Sequence, residues 1–471
     1  MKRHVLKYRL SMLFCCLVAQ ISFSQARVEE KITFNFECKA DLESVSFGGT
    51  AAEGYITIHH DYKPHAAFVA PHWTKGNTEL APVGYVAGQK AQVAAVFDFA
   101  CEKIAENKVF AKGIGPNGIV FDEQSLSFTG KKGNYAMKIA KTAFTANTVD
   151  YFAKFQIKWQ VKIGDTGTWQ DAGTSENPMY VPLSQLDGCN LEEKDKDRVF
   201  YSTIHYACKP AKGLTDKTQI TQKIWETFAT LKVPRIDKPT QNKKTAMLYW
   251  GATNPVNADA CRGVSGLLNY EDGNCGEWAF FMQHCVAMHG FSDICLYKIE
   301  GKAIADFDKI EAYNANFNTY FGQLPIDAQV VFLVKKWNVP NLKKFYYTSK
   351  KYIPSNVGNN FYTNYSGNLI LTNGNTVPVG NLSGDKAQGI TDPETLFSNH
   401  AVVTLANSKI YDPSYGTGLF ADILDWEYKS IDAYAWEAFY TPDNGSMNIY
   451  SIVYPYEHEI SSNQQVEYAK P

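Results

Sequence analysis

Residues 271–281 read EDGNCGEWAFF. Gly273 and Asn274 are turn residues, and Gly276 permits close approach of backbone or substrate. The apolar run EWAFFMQHCVAMHG (277–290) then has helical length and closes on Gly290, a C-cap residue. Cys275 is therefore expected at the N-terminus of a buried helix, where unpaired amides and the positive end of the dipole stabilise a thiolate. Taken alone, that position suits a structural cysteine equally well. Cys285, within the same apolar run, reads as inert packing.

A second stretch, SNHAVVTLANSKIYDPSYG (398–416), bears on the choice. A thiolate nucleophile needs a base within hydrogen-bond reach, and the base needs a group that fixes its tautomer. His400 opens an alternating strand, Asn407 and Ser408 turn the chain, and Asp412 closes the return strand. Register decides whether the two side chains can meet. A two-residue loop at 407–408 would pair Asp412 with Val403 and put His400 on the opposite face. A three-residue loop over 406–408 pairs Asp412 with Val402 and makes His400 its diagonal neighbour on the same face, roughly 7–8 Å away between β-carbons. The three-residue loop is the one expected. A half-buried strand histidine and a plain turn carboxylate before Pro413 are the bland alternatives.

The rest of the chain sets the context. At 471 residues it is too long for one ordinary core, and two or three domains are expected. A net charge of -2 with 20% charged residues leaves no electrostatic footprint for nucleic acid or an anionic membrane. Aromatic residues make up 14%, which suits strand-rich, well-packed domains or a ligand-gripping surface. MKRHVLKYR supplies a basic start, LSMLFCCLVAQISF (10–23) an apolar segment and Ser24-Gln25-Ala26 a small-residue cleavage site, so residues 1–26 read as a signal peptide. The apolar segment is short for a membrane span, and the bulky Leu13-Phe14 argues against lipidation at Cys15 or Cys16. A soluble, secreted or periplasmic protein is expected.

Export gives the cysteines meaning. Beyond the signal stand Cys38, Cys101, Cys189, Cys208, Cys261, Cys275, Cys285 and Cys295, an even number that forces no free thiol. ITFNFEC places Ile32, Phe34, Phe36 and Cys38 on one strand face, and VAAVFDFAC does the same for Ala95, Phe97, Phe99 and Cys101. These two cysteines are expected to face one core within bridging range, as a bond between the sheets of a sandwich or as two buried thiols. Cys189 and Cys208 are candidates to pair across a short polar segment.

Residues 27–185 are punctuated β-sequence. FQIKWQVKI (155–163) and YAMKI (135–139) alternate, and GPNG, GKKGN and GDTG separate the runs, which reads as one Ig-like sandwich or two small ones. KTQITQKIWETFATL (217–231) then has helical spacing up to Pro234. Residues 354–390, rich in Asn, Gly, Ser, Thr and Tyr, read as a long loop or hairpin insertion.

Cysteine at a helix start after a G-x-C turn, histidine heading a strand and aspartate before proline on the next strand resemble the transglutaminase-like superfamily. FSDICLYKIEG (291–301) is similar to the strand that follows the family's cysteine helix. The resemblance covers roughly 190–455 and implies a secreted bacterial member with a papain-like α+β core. Its ordered triad falls on Cys275, His400 and Asp412. The long interval between Cys275 and His400 departs from the family and marks 354–390 as an insertion able to roof the cleft. Some members of the family have lost catalysis, although all three residues are present here.

An oxyanion hole needs a second donor beside the Cys275 amide, and Asn269 and Trp250 are both candidates. There is no HExxH, P-loop, Rossmann glycine fingerprint or G-x-S-x-G; His284 and His289 are misaligned as helical ligands, and His59-His60 is an isolated pair. No metal or cofactor is expected. The expected architecture is a signal peptide (1–26), a β-sandwich region (27–185), a transglutaminase-like α+β domain (186–455) and a C-terminal tail (456–471). The expected activity is attack by Cys275 on a peptide or amide carbonyl of a protein or peptide substrate through a thioester, with hydrolysis slightly ahead of transfer to an amine. A non-catalytic binding or scaffold protein with the same fold is the alternative.

Overall fold

The computed structural model describes residues 38–186, 195–237, 246–249, 263–291, 293–301, 327–334, 346–352, 368–370, 376–378, 387–390, 396–397, 399–405, 409–440, 447–455 and 466–469. The signal segment, Ile32, Phe34, Phe36, Cys189, Trp250 and Cys261 lie outside them. The chain divides into two compact units. One comprises Met1–Ile56, Phe68–Asn147 and Tyr151–Val181, and the other Thr57–Ala67, Thr148–Asp150 and Pro182–Pro471. A single cut near residue 185 therefore does not describe the chain. Within the β-sequence, Ile58–His59 pair in parallel with Val199–Phe200 and belong to the second unit.

The first unit is β-rich. Its main strands are β1 (Ala40–Gly48), β2 (Gln92–Phe99), β3 (Val109–Ile114), β4 (Lys132–Ile139), β5 (Asp150–Ile163) and β6 (Gln170–Val181). One five-stranded sheet is centred on β1, β2 and β4, and one six-stranded sheet on β6, β5 and β3. The period-2 pattern read along 155–163 is what closes the core: Phe155, Ile157, Trp159 and Val161 are buried against Phe97, Phe99 and Tyr135 of the other sheet. The Trp159 ring lies 5.7 Å from Phe97 and 5.3 Å from Tyr135, and its Nε1–H donates to Ser175 Oγ at 3.2 Å. Two sheets sharing one core make a single sandwich.

Two expectations need correction. In YAMKI only Tyr135 points inward, while Met137 and Ile139 are 47% and 50% exposed. The β4–β2 register slips between Tyr135 and Lys138, and a one-residue slip turns every later side chain to the other face. Cys38 and Cys101 do form a disulfide, with α-carbons 5.3 Å apart. It does not span the two sheets. Ala40 pairs with Phe99, and the same register carried two residues outward sets Cys38 beside Cys101 on neighbouring strands.

The second unit holds the helices α1 (Tyr201–Cys208), α2 (Lys217–Phe228), α3 (Gly263–Tyr270), α4 (Cys275–Ala287) and α5 (Ile423–Ser430). In α2 the stripe Ile220, Ile224, Trp225 and Phe228 is buried, and Asp216 caps the start by accepting from the Gln219 amide at 2.9 Å. This helix stops at Phe228, short of the expected 231, and Leu231 follows in a left-handed conformation at φ 56°. Strands β7 (Ile294–Gly301), β8 (Asn399–Leu405), β9 (Lys409–Asp412), β10 (Thr417–Phe420) and β11 (Val466–Ala469) form an antiparallel sheet in the order β10-β9-β8-β7-β11. The last strand comes from the expected tail and adds to the edge of β7. A second, seven-stranded antiparallel sheet is built from Asp327–Val334, Tyr346–Tyr352, Asn368–Ile370, Thr376–Pro378, Leu396–Phe397, Ile431–Tyr440 and Met447–Pro455. Part of the supposed insertion thus serves as sheet, since 368–370 pairs with 376–378 and with 346–352. Its remaining residues up to 386 lie outside the described residues, and with them the expected roof. Among the described residues no helix is long and apolar enough to cross a membrane.

Candidate active site

Helix α4 is buried on almost every side. Trp278 and Phe281 pack on Phe228 of α2 at ring distances of 6.4 and 5.5 Å, and Tyr206 of α1 meets Phe281 at 5.9 Å. The helix also rests on β7 and β8. So enclosed a helix cannot shift along its axis without opening the core, and its first residue is fixed in space. That residue is Cys275, 8% exposed.

The turn that delivers Cys275 is pinned from both sides. The Asn274 side chain accepts from the Gly276 amide at 2.8 Å, and Glu277 reaches back to accept from the Asn274 amide at 2.8 Å. Glu277 is therefore more than a dipole partner: it closes a capping box. Gly273 is not a simple turn glycine either. It pairs with Tyr249 in a short parallel ladder, and a β-carbon there would lie 2.9 Å from Leu267 and 3.1 Å from Glu277. Two residues upstream, Glu271 sits at φ 56° and ion-pairs with Arg235 Nε at 3.0 Å. Arg235 also donates to the Leu268 and Asn269 carbonyls at the end of α3, at 3.0 and 3.3 Å. Arg235 and Glu271 carried no signal in the sequence, since each is an ordinary charged residue until the fold brings them together.

The hairpin of β8 and β9 has the expected parity. Val403 pairs with Tyr411 and Leu405 with Lys409, which leaves three residues between the paired ends. The same register places Asp412 opposite Val402 and His400 two residues along on the same face. His400 Nε2 lies 2.8 Å from Asp412 Oδ2, and both side chains are fully buried. Cys275 lies near enough to His400 to act on its ionisation. The three residues singled out in the sequence are thus brought together, with the imidazole between thiol and carboxylate. Burial by itself would lower the His400 pKa. The Asp412 charge and hydrogen bond, together with Cys275, outweigh it and push His400 up to about 10.

Two aromatic residues that the sequence reading did not single out enclose this pair. Trp426 of α5 stacks on the imidazole with centroids 5.8 Å apart and planes 11° from parallel. Its Nε1–H donates to Asp412 Oδ2 at 3.4 Å. Tyr415 approaches the imidazole at 5.7 Å, and its amide donates to Asp412 Oδ1 at 3.4 Å. Below the turn, buried Gln388 donates from Nε2 to the Pro413 carbonyl at 2.8 Å and to the Phe228 carbonyl at 2.7 Å. The end of the supposed insertion therefore anchors the Asp412 turn.

The other candidates fall elsewhere. Asn269 is half-buried at the end of α3, where its carbonyl meets Arg235; Trp250 lies outside the described residues. Cys285 is buried, donates to the Thr203 carbonyl at 3.5 Å and has its thiol pushed well up by burial, in keeping with inert packing. Cys208 carries a thiol at the buried end of α1, close enough to Cys285 to raise its pKa further.

No protein-family model matches the chain, and no curated protein matches it.

Proposed function

We propose that the chain is a transglutaminase-like cysteine acyltransferase or hydrolase that acts on amide or peptide bonds through a thioester. The observation that carries this reading is His400 bonded to Asp412 and electrostatically linked to Cys275, which stands at a helix N-terminus. Cysteine sulfur attacks the carbonyl carbon, and the oxygen takes up the negative charge. The Cys275 amide, at the helix start, is one donor for that oxygen. A protonated His400 holds the proton that the departing amine needs. Proton transfer and C–N cleavage leave the acyl group on sulfur and free the amine. His400 then takes a proton from the incoming nucleophile as it attacks the thioester, and the sulfur is released. Water as nucleophile gives acid, and an amine gives a new amide. Hydrolysis is favoured because a solvent-reachable thioester meets water by default, whereas transfer needs an acceptor site. Action outside the cytoplasm follows from the signal-like residues 1–26 and agrees with the Cys38–Cys101 disulfide.

The test is alkylation of the native protein by limiting iodoacetamide, with peptide mapping. Cys275 is expected to label first, and His400→Ala to remove its lead. Labelling no faster than in an unfolded control would leave the scaffold reading. If Cys275 labels, glutamine-containing peptides with a small primary amine separate the outcomes: incorporated amine means transfer, and released acid or cleaved peptide means hydrolysis.

A further inference from the structure

Catalysis by an imidazole between a thiol and a carboxylate demands that the ring neither rotates nor loses its carboxylate to water. In the second unit both demands converge on one side chain. The Trp426 indole lies nearly parallel to the His400 ring, so a flip of the imidazole about its Cβ–Cγ bond would sweep the ring toward a fully buried residue. The same indole donates to Asp412 Oδ2, the oxygen already held by His400 Nε2 at 2.8 Å. An oxygen that accepts from two donors is fixed in direction by both. Tyr415 donates its amide to the other oxygen, so the carboxylate plane is set from both ends. Tyr415 also meets both, but it reaches the carboxylate through its main-chain amide, whereas Trp426 meets ring and carboxylate with its side chain.

We propose that Trp426 is a positioning residue of the Cys275 site, acting through Asp412 to fix the ring and the charge of His400. This rests on the cysteine-nucleophile reading above. The described contacts of the indole with the site are those to His400 and Asp412, and in that reading it takes no part in bond breaking. Its contribution is the hydrogen bond to Asp412 and the wall it builds against water, which keeps the attraction between Asp412 and His400 at low dielectric.

The experiment uses the full chain and the rate of Cys275 alkylation by iodoacetamide across a pH series, which needs no substrate. Trp426→Phe keeps a stacked ring and removes the donor. Its rate at neutral pH is expected to fall about tenfold, the weight of a hydrogen bond to a charged group. Acting through Asp412, the loss should not add to that of Asp412→Asn: the double variant should react no slower than Asp412→Asn alone. A purely structural role would slow the double variant further by the Trp426→Phe factor. If the Phe variant lacks a cooperative unfolding transition, Trp426→Met, which also has no donor, takes its place in the same cycle. Wild-type Cys275 that labels no faster than an unfolded control sinks the nucleophile reading itself. Fast wild-type labelling with an unchanged rate and pH profile in the Phe variant, or additive losses, overturns only the role of Trp426.

Discussion

At the scale of single residues, the ionisation of His400 is set by a contest between burial and charge. Burial disfavours the imidazolium, and Asp412 reverses the outcome and pushes the pKa up to about 10. Asp412→Asn keeps the shape and removes the charge, so the His400 pKa should drop toward the ordinary imidazole value or below it. Cys275 alkylation at neutral pH should then slow by about tenfold or more, the worth of a buried charge-assisted bond. Stability carries the same signature. A folded pKa raised above the unfolded 6.5 adds stability that is complete below that value and lost as pH rises through about 10. Urea titrations at about pH 6 and about pH 9.5 should therefore show wild type weakening on the alkaline side, while Asp412→Asn shows a smaller change. Equal alkaline weakening in both proteins would assign the effect to other groups.

At the scale of elements, a hairpin loop decides whether the site exists. The three residues 406–408 set a parity that brings Asp412 to the face of His400. Deleting Asn407 would leave two, and a one-residue slip carries Asp412 to the opposite face. The deletion should thus abolish the alkylation lead of Cys275 while far-ultraviolet circular dichroism stays close to wild type. Retained reactivity would mean that the chain restores parity by a bulge elsewhere. Helix α4 makes the complementary point. Its capping box, the Gly273 close approach and the Arg235–Glu271 pair act on five consecutive residues that end at Cys275. Three local devices there specify one backbone position.

At the scale of the whole molecule, the two units answer to different conditions. The first is tied by Cys38–Cys101 across a sequence separation of 63. Replacing both cysteines by serine should cost about 2–5 kcal/mol, seen as a lower urea midpoint for a probe such as Trp159 fluorescence, with the second unit unaffected. An unchanged midpoint would show that the core alone suffices. The second unit contains buried His205, His284 and His289, whose pKa values burial lowers to about 3, 3 and 4. Below the unfolded value of 6.5 the unfolded chain binds protons that the folded chain refuses, so each pH unit removes roughly 1.4 kcal/mol per histidine until the folded value is reached. Neither His284 ring nitrogen has a hydrogen-bond partner among the described residues, so His284→Leu loses no bond there. That variant should flatten the fall in stability between about pH 6 and about pH 4 by one proton. An unchanged slope would reject it.

Much of this was legible because the underlying physics is local. Period-2 apolar spacing placed the inward face of 155–163, helical spacing placed α2, an apolar run of helical length placed α4, and the pairing expected of Cys38 and Cys101 is the disulfide observed. Cys275, His400 and Asp412 could be named from one helix start and one hairpin, since turn length and side-chain alternation are properties of short segments. Tertiary structure decided what depends on contacts distant in sequence. The bulge that exposes Met137 and Ile139 arises from pairing with β2, and the disulfide joins neighbours because β1 pairs with β2 rather than facing it. Trp426, Gln388 and Arg235 are unremarkable in sequence and become site residues only through burial beside Asp412 or Cys275. The sequence alone determines which elements can form and which faces they must bury, because hydrophobic periodicity and turn chemistry act over a few residues. Which of those faces meet, and so whether a thiol, an imidazole and a carboxylate share one environment, was decided only when packing fixed their dielectric and their distances.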